Sequence, residues 1–458
     1  MPARLSKPSH VQSLFALVLL VSSFCVRVDR ANAYGCGPSP EVGKPRDVPR
    51  ERWRYTREGA GSFTIANADG NGVVALMNTP GCATSVIGLA SLDPATGKER
   101  WWRENEGGEN DIGDAIQVGD LIVLETGTGV VAIEAASGTE RWRLDLGQYP
   151  GAAAATANAL IFRADREFIA IDLENGDTLW RTAIQGSPGD WDVPDDGRLI
   201  VSFSDATNNG ALTLAAYETG GGTEHWRAAV EYPAGILALP NLLAGAEGTV
   251  LVHLVPFGDE PSVLVAMDAS TGEELWRVDD LGASPFGAHV TVVGTDDPVA
   301  VVPTSDADER LEVIALDAMT GVERWRSTSI RGLLIADSSA VVGPITDPDG
   351  TSRLGGLDPA TGQLLWSLPI SGADDPEALI GASSIMADGR VVVALGPSQD
   401  AKRTRAVAVA VDPAHGDLVW RASYPEFEAL FVEAAGAGAV LLTAVKGSEA
   451  TLLALDTD

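Results

Sequence analysis

The chain has 458 residues, of which 45% are hydrophobic and 21% charged, with 50 Gly and 26 Pro spread along it. Its 64 acidic against 32 basic side chains give a formal charge of -32, a field that repels phosphate backbones and anionic lipid surfaces and so excludes nucleic-acid binding. The turn-forming residues suit many short strands, and a length that ordinarily means two or three domains is also reached by one repeat fold that grows by adding units.

The first element is an export segment. Arg4, Lys7 and His10 precede an apolar run from Leu14 to Val26, which is short for a membrane-spanning helix. Ala31-Asn32-Ala33 has the A-x-A form read by a signal peptidase. Cleavage there makes 1–33 an export signal and 34–50 a linker ahead of a domain at 51–458. Ala33-Tyr34-Gly35-Cys36 also has the form of a lipoprotein box, which would extend the signal to 35 and lipidate Cys36. An uncleaved anchor is the third reading. All three place the protein outside the cytoplasm: secreted, periplasmic, or held at the cell surface. Cys36 and Cys82 are the cysteines left after cleavage, and an oxidising compartment permits a bridge between them; lipidation of Cys36 would leave Cys82 free.

Arg52-Trp53-Arg54-Tyr55 then reads as a strand that follows a turn, although no turn precedes it. From residue 92 onward one motif recurs. It runs Leu92 to Trp101 (LDPATGKERW), Ile133 to Trp142 (IEAASGTERW) and Ile171 to Trp180 (IDLENGDTLW). It continues with Gly222 and Trp226, Gly272 and Trp276, Gly321 and Trp325, Gly362 and Trp366, and Gly416 and Trp420. In all eight copies, including Gly97, Gly138 and Gly176, the Gly precedes the Trp by four positions.

The apolar run before each turn, such as Leu264 to Asp268 or Val313 to Asp317, predicts a strand buried on both faces. The acid that closes it is placed to accept N–H groups of the turn, and the Gly supplies a positive φ. The Trp falls at a fixed place on the next strand, where it is expected to fill the seam between one sheet and the next, burying on the order of 200 Å². Further strands are predicted at Leu121–Leu124, Leu160–Phe162, Val250–Leu254, Ala300–Val302 and Val391–Ala394. Each unit is therefore four short antiparallel strands, a blade that cannot bury both faces alone. The last run, Thr451 to Asp456, looks like the strand before a turn; paired with Arg52–Tyr55 it completes one blade and removes the open edges. The prediction is an all-β propeller closed by its N- and C-terminal strands, with eight hairpins plus one split blade.

This repeat, Asp-x-x-Thr-Gly-x-x-x-Trp, resembles the quinoprotein-type or PQQ-like propeller repeat over about residues 50–458. The resemblance implies four-stranded blades, eight by the family norm against the nine that the repeat count gives. It implies little about function, since the family holds both quinone-dependent dehydrogenases and non-catalytic BamB-like scaffolds. Dehydrogenases of this kind carry adjacent cysteines over the quinone, an axial Asp base, and calcium held by Glu and Asn. No Cys-Cys pair and no C-x-x-C-H occurs here.

Other chemistry is no better represented. Among His10, His225, His253, His289 and His415 no two have metal-ligand spacing, and Gly220-Gly221-Gly222 is a hairpin turn. Asn67 to Gly72 and Asp347 to Gly350 are faintly calcium-like but lack the closing Glu, so they are read as turns. Two departures from the repeat are candidate contacts. Trp191 lies off the repeat among Asp190, Asp192, Asp195 and Asp196, where it would meet a partner or a cation, or pack back on its own blade. Lys402, Arg403 and Arg405 form a basic tip in an acidic protein. The expectation is a monomeric, non-enzymatic propeller with no cofactor, serving as a protein-interaction scaffold or ligand-binding module for an unidentified protein or peptide. It would meet the membrane only through its N-terminal segment. The alternative is a PQQ-dependent oxidoreductase acting on an alcohol or sugar.

Overall fold

The computed structural model describes residues 49–457 apart from 80–85, 106–111, 157–158, 165, 194–196, 206–210, 233–237, 257–259, 285–289, 306–309, 332–334, 347–351, 370–382 and 395–405. The expected export signal and the expected linker up to residue 48, Cys36, Cys82, His10, His289, the expected Asp347 turn and the basic residues 402, 403 and 405 lie outside the described residues.

Every strand described belongs to one of nine four-stranded antiparallel sheets. The first blade is Ser62–Ala68, Val73–Asn78, Val86–Leu92 and Glu99–Glu104, paired in chain order. Seven more blades follow with the same order, ending with Ser383–Ala387 to Leu418–Tyr424. The ninth is split. Ala429–Gly436, Ala439–Lys446 and Glu449–Asp456 supply three strands, and Glu51–Thr56 pairs antiparallel with the last of them. Trp53 stands opposite Ala454, and Arg52 Nε donates to Asp456 Oδ1 at 2.6 Å. The eight-blade norm is therefore exceeded: each of the eight hairpins closes a sheet of its own, and none is degenerate.

Second and third strands are apolar on both faces because a blade packs against a neighbour on each side. Val73–Asn78 and Ala406–Val411 are buried throughout. The apolar core is accordingly divided into nine clusters, each shared by two adjacent blades. One joins Val74 and Leu76 of the first blade to Ile122 and Leu124 of the second. Another joins Trp53, Leu441 and Leu452 of the ninth to Val73 and Ala75 of the first. First strands of neighbouring blades touch one another, as Ser62–Ala68 does with Ile112–Val118 and with Ala429–Gly436, so these strands lie next to the axis.

Candidate functional site

The repeat motif makes seams. In eight blades the turn acid or its counterpart is followed by a Gly with φ between +66° and +77°. Asp268 Oδ1 accepts the N–H groups of Ser270 and Thr271 at 2.8 Å each, as the turn chemistry requires. The glycine has a second reason to lack a side chain. A Cβ on Gly362 would sit 2.5 Å from the ring of Trp325, and one on Gly97 would sit 2.6 Å from Trp53. Each turn glycine lies flat against the tryptophan of the preceding blade, and that indole donates to a carbonyl of the same turn. Trp325 Nε1 reaches Pro359 O at 2.8 Å, and Trp53 Nε1 reaches Pro94 O at 2.9 Å. The Gly and Trp four positions apart in the sequence thus serve opposite faces of their blade. Trp101, Trp142, Trp180, Trp226, Trp276 and Trp366 repeat this bond on the next turn, against Gly138, Gly176, Gly222, Gly272, Gly321 and Gly416.

Side chains free of that task gather near the axis. Strand register places Glu125, Arg163, Ser202 and His253 at the same position of the second strand in blades two to five, four residues after the one opposite the turn acid. Blades six, seven and eight carry Pro303, Pro344 and Ala394 there. At this position blades two to five, and blade nine with Thr443, are polar, and blades six to eight are not. Glu125, Arg163 and His253 each interrupt an apolar run, and that break is the mark they leave in the sequence.

In blade two the innermost strand bulges at Gly113 and Asp114 opposite Glu125. Glu125 is buried and accepts a hydrogen bond from Tyr149 Oη at 2.9 Å. Burial, and then the charge of Asp114, pushes the Glu125 carboxyl up to about 7; Tyr149 acts against this. Burial also raises Asp114, opposed by the Ala115 N–H. Blade four repeats the arrangement, with Gly189 and Asp190 bulged opposite Ser202. Asp190 Oδ2 accepts Leu242 N of blade five at 2.7 Å, and burial pushes this carboxyl up to about 6. In blade nine Glu433 occupies a bulge and is pushed up to about 7 by burial.

Trp191, off the repeat in the sequence, lies on the innermost strand Ser187–Asp192, paired with Val201 and half-buried. Its ring meets Phe168 of blade three edge-on at 6.3 Å, and the Arg163 guanidinium stands 6.0 Å from its centroid. His225 and His415 are exposed on hairpins, while His253 is buried. Asp69 Oδ1 accepts the N–H groups of Asn71 and Gly72, so that segment is a turn.

Among the described residues no three His, Cys, Asp or Glu side chains converge as a metal site needs. Calcium takes six to eight oxygens and favours ionised carboxylates, as about that number of hard ligands demands. The axial carboxyls are held singly or in a pair and are pushed toward the protonated form. With no three of them converging, the described residues form no ready calcium cage. Beside them stand the Arg163 guanidinium and the half-buried Trp191 ring.

No curated protein matches the sequence. Solved structures share the fold. BamB from Moraxella catarrhalis is 15% identical, with a TM-score of 0.44 over 89% of this chain and 100% of that one. A quinohemoprotein alcohol dehydrogenase from Pseudomonas putida HK5 is 12% identical, with a TM-score of 0.45 over 90% of this chain and 76% of that one. Sqt1 from Saccharomyces cerevisiae is 11% identical, with a TM-score of 0.50 over 90% and 100%. The family model described as outer membrane protein assembly factor BamB matches residues 85–205 and 209–399, more than half of the chain. On that match, the chain belongs to the BamB-like family of propellers with PQQ-type repeats.

Proposed function

We propose that this propeller is an extracytoplasmic scaffold that binds a protein or peptide partner and carries out no chemistry of its own. The observation that supports it most is the family match, which runs from the first blade into the eighth and bears the description of an assembly factor. The export signal expected at the N-terminus would agree with that location. Trp191, half-buried beside Arg163, is the residue proposed to meet the partner.

The test uses the full tagged chain, crosslinked in cells and purified from detergent-solubilised envelopes. One partner recovered in stoichiometric amount, and lost with Trp191→Ala while the thermal midpoint holds, supports the reading. A chain that stays in the cytosol, or elutes alone after crosslinking, sinks it. The same preparation incubated with PQQ and calcium tests the oxidoreductase alternative. Tightly bound quinone with turnover of an alcohol or sugar, read by dye reduction, would replace the scaffold reading.

A further inference from the structure

One seam differs from the other eight. Trp420 of blade eight is the most buried of the seam tryptophans, at 1% exposed, yet its Nε1 has no hydrogen-bond acceptor. The cause is topological. In blade nine the third strand, Glu449–Asp456, and the fourth, Glu51–Thr56, are not joined by a turn. Among the described residues, no turn glycine lies against Trp420 as Gly416 lies against Trp366. The carbonyl that follows the turn acid and receives the indole in the other seams is here Thr457 O, and Arg390 of blade eight donates to it instead. Thr457 Oγ1 donates to Asp388 Oδ2 of the same blade, and Thr457 N bonds Gly438 O at 3.2 Å. The apolar cluster of this seam, from Ala422 and Trp420 to Leu453 and Leu455, is as extensive as elsewhere. What is missing is confined to the outer edge.

We infer that the ring opens first at the outer edge of the seam between blades eight and nine, and that Thr457, held by Arg390 and Asp388, is the latch. A buried indole N–H without an acceptor loses nothing further when water reaches it, so the indole-to-turn bond that holds each other seam is replaced here by the two bonds of Thr457 to Arg390 and Asp388. The seam without the glycine contact also lacks the turn that caps its tryptophan. Opening here separates faces of blades and leaves the terminal strand pairing of Glu51–Thr56 intact.

Two equivalent positions, each two residues after a seam tryptophan and each buried, allow a direct comparison: Ala422 in this seam and Ser327 in the seam between blades six and seven. Ala422→Cys and Ser327→Cys are made in the full chain, and thiol labelling under native conditions is followed on the corresponding peptides by mass spectrometry. The Ala422→Cys thiol is expected to label at least tenfold faster. Adding Thr457→Val, which removes the hydroxyl bond to Asp388, speeds it severalfold again and leaves the Ser327→Cys thiol unchanged. Trp325→Phe, which deletes the bond to Pro359 O, accelerates labelling in its own seam, while Trp420→Phe changes little in its own. Labelling at 422 no faster than at 327 overturns the inference, and so does a Thr457→Val effect of equal size at both sites.

Discussion

Replacing Gly362 by Ala tests whether the seam, and not the turn alone, demands glycine. Gly362 has φ +68° and the ring of Trp325 at 2.5 Å from where a Cβ would be. Gly147 has the nearly identical φ of +69° with nothing within 4 Å. Gly147→Ala therefore measures the left-handed backbone alone, about 1–2 kcal/mol for an L residue, reduced by several tenths because alanine also restricts the unfolded chain. Gly362→Ala carries that cost and a further one. The Trp325 ring must retreat by about 1 Å, an overpacking change that typically costs about 1–3 kcal/mol. Its bond to Pro359 O, 2.8 Å long and in the same turn, is stretched as it moves. That bond contributes roughly 1 kcal/mol. The sum is about 3–5 kcal/mol for Gly362→Ala against about 1 for Gly147→Ala. Urea denaturation of the two variants and the parent, compared at equal m-value, reads the difference directly. Repeating Gly362→Ala in a Trp325→Leu background should shrink its penalty to that of Gly147→Ala, because the contact it violates is gone. If the two glycine variants lose equal stability, or if the penalty survives without the ring, the glycine is required by the turn only and the seam argument fails.

Further expectations follow from the axial carboxyls and the turn acids. Glu125 has a folded pKa of about 7 against an ordinary 4.5, so folding favours its protonated form. Its contribution to stability is complete below about pH 4.5 and is lost as pH rises through about 7. Glu125→Gln should thus be more stable than the parent at pH 8 by roughly 3 kcal/mol, at 1.36 kcal/mol per unit, and equal to it at pH 4. Urea midpoints at the two pH values check this, and an equal gain at both would refute it. Glu433→Gln, on blade nine and raised to about 7 by burial, should show the same window, and the two gains should add because the sites share no partner. Asp268→Ala removes the acceptor of two turn N–H groups and should cost about 1 kcal/mol at pH 7. Its carboxyl lies below the usual range, first through the Ser270 hydroxyl, so stability is present above the ordinary carboxylate pKa and fades as pH falls through the lowered one. A variant indistinguishable from the parent at pH 7 would show that the turn bonds contribute nothing net.

Local physics made much of the ring legible in the residues themselves. The period-two apolar runs, the acid that closes each, the positive-φ glycine and the tryptophan beyond it are all consequences of interactions within ten residues. Counting them leads to eight blades, and the unturned strands at Trp53 and Leu452 supply the ninth. The off-repeat position of Trp191 was equally plain, but its place on an innermost strand against Phe168 was not, because that depends on which strand pairs with it. The same holds for Asp114, Asp190 and Glu433. Each is one acid among 64 until a bulge turns it inward, and a bulge exists only once two strands are in register.

The repeating unit and its turn chemistry are written in the residues alone, since neighbours along the chain set them, whereas eight blades or nine was settled by the paired sheets. Tertiary structure alone decided what each unit touches. A seam tryptophan finds its glycine turn 31 to 47 residues away, on the next blade, and no local pattern encodes that the Gly and Trp of one motif face opposite neighbours. For the same reason only the assembled ring shows Trp420 buried without an acceptor, at the one junction where the repeat's turn is replaced by the meeting of two distant strands.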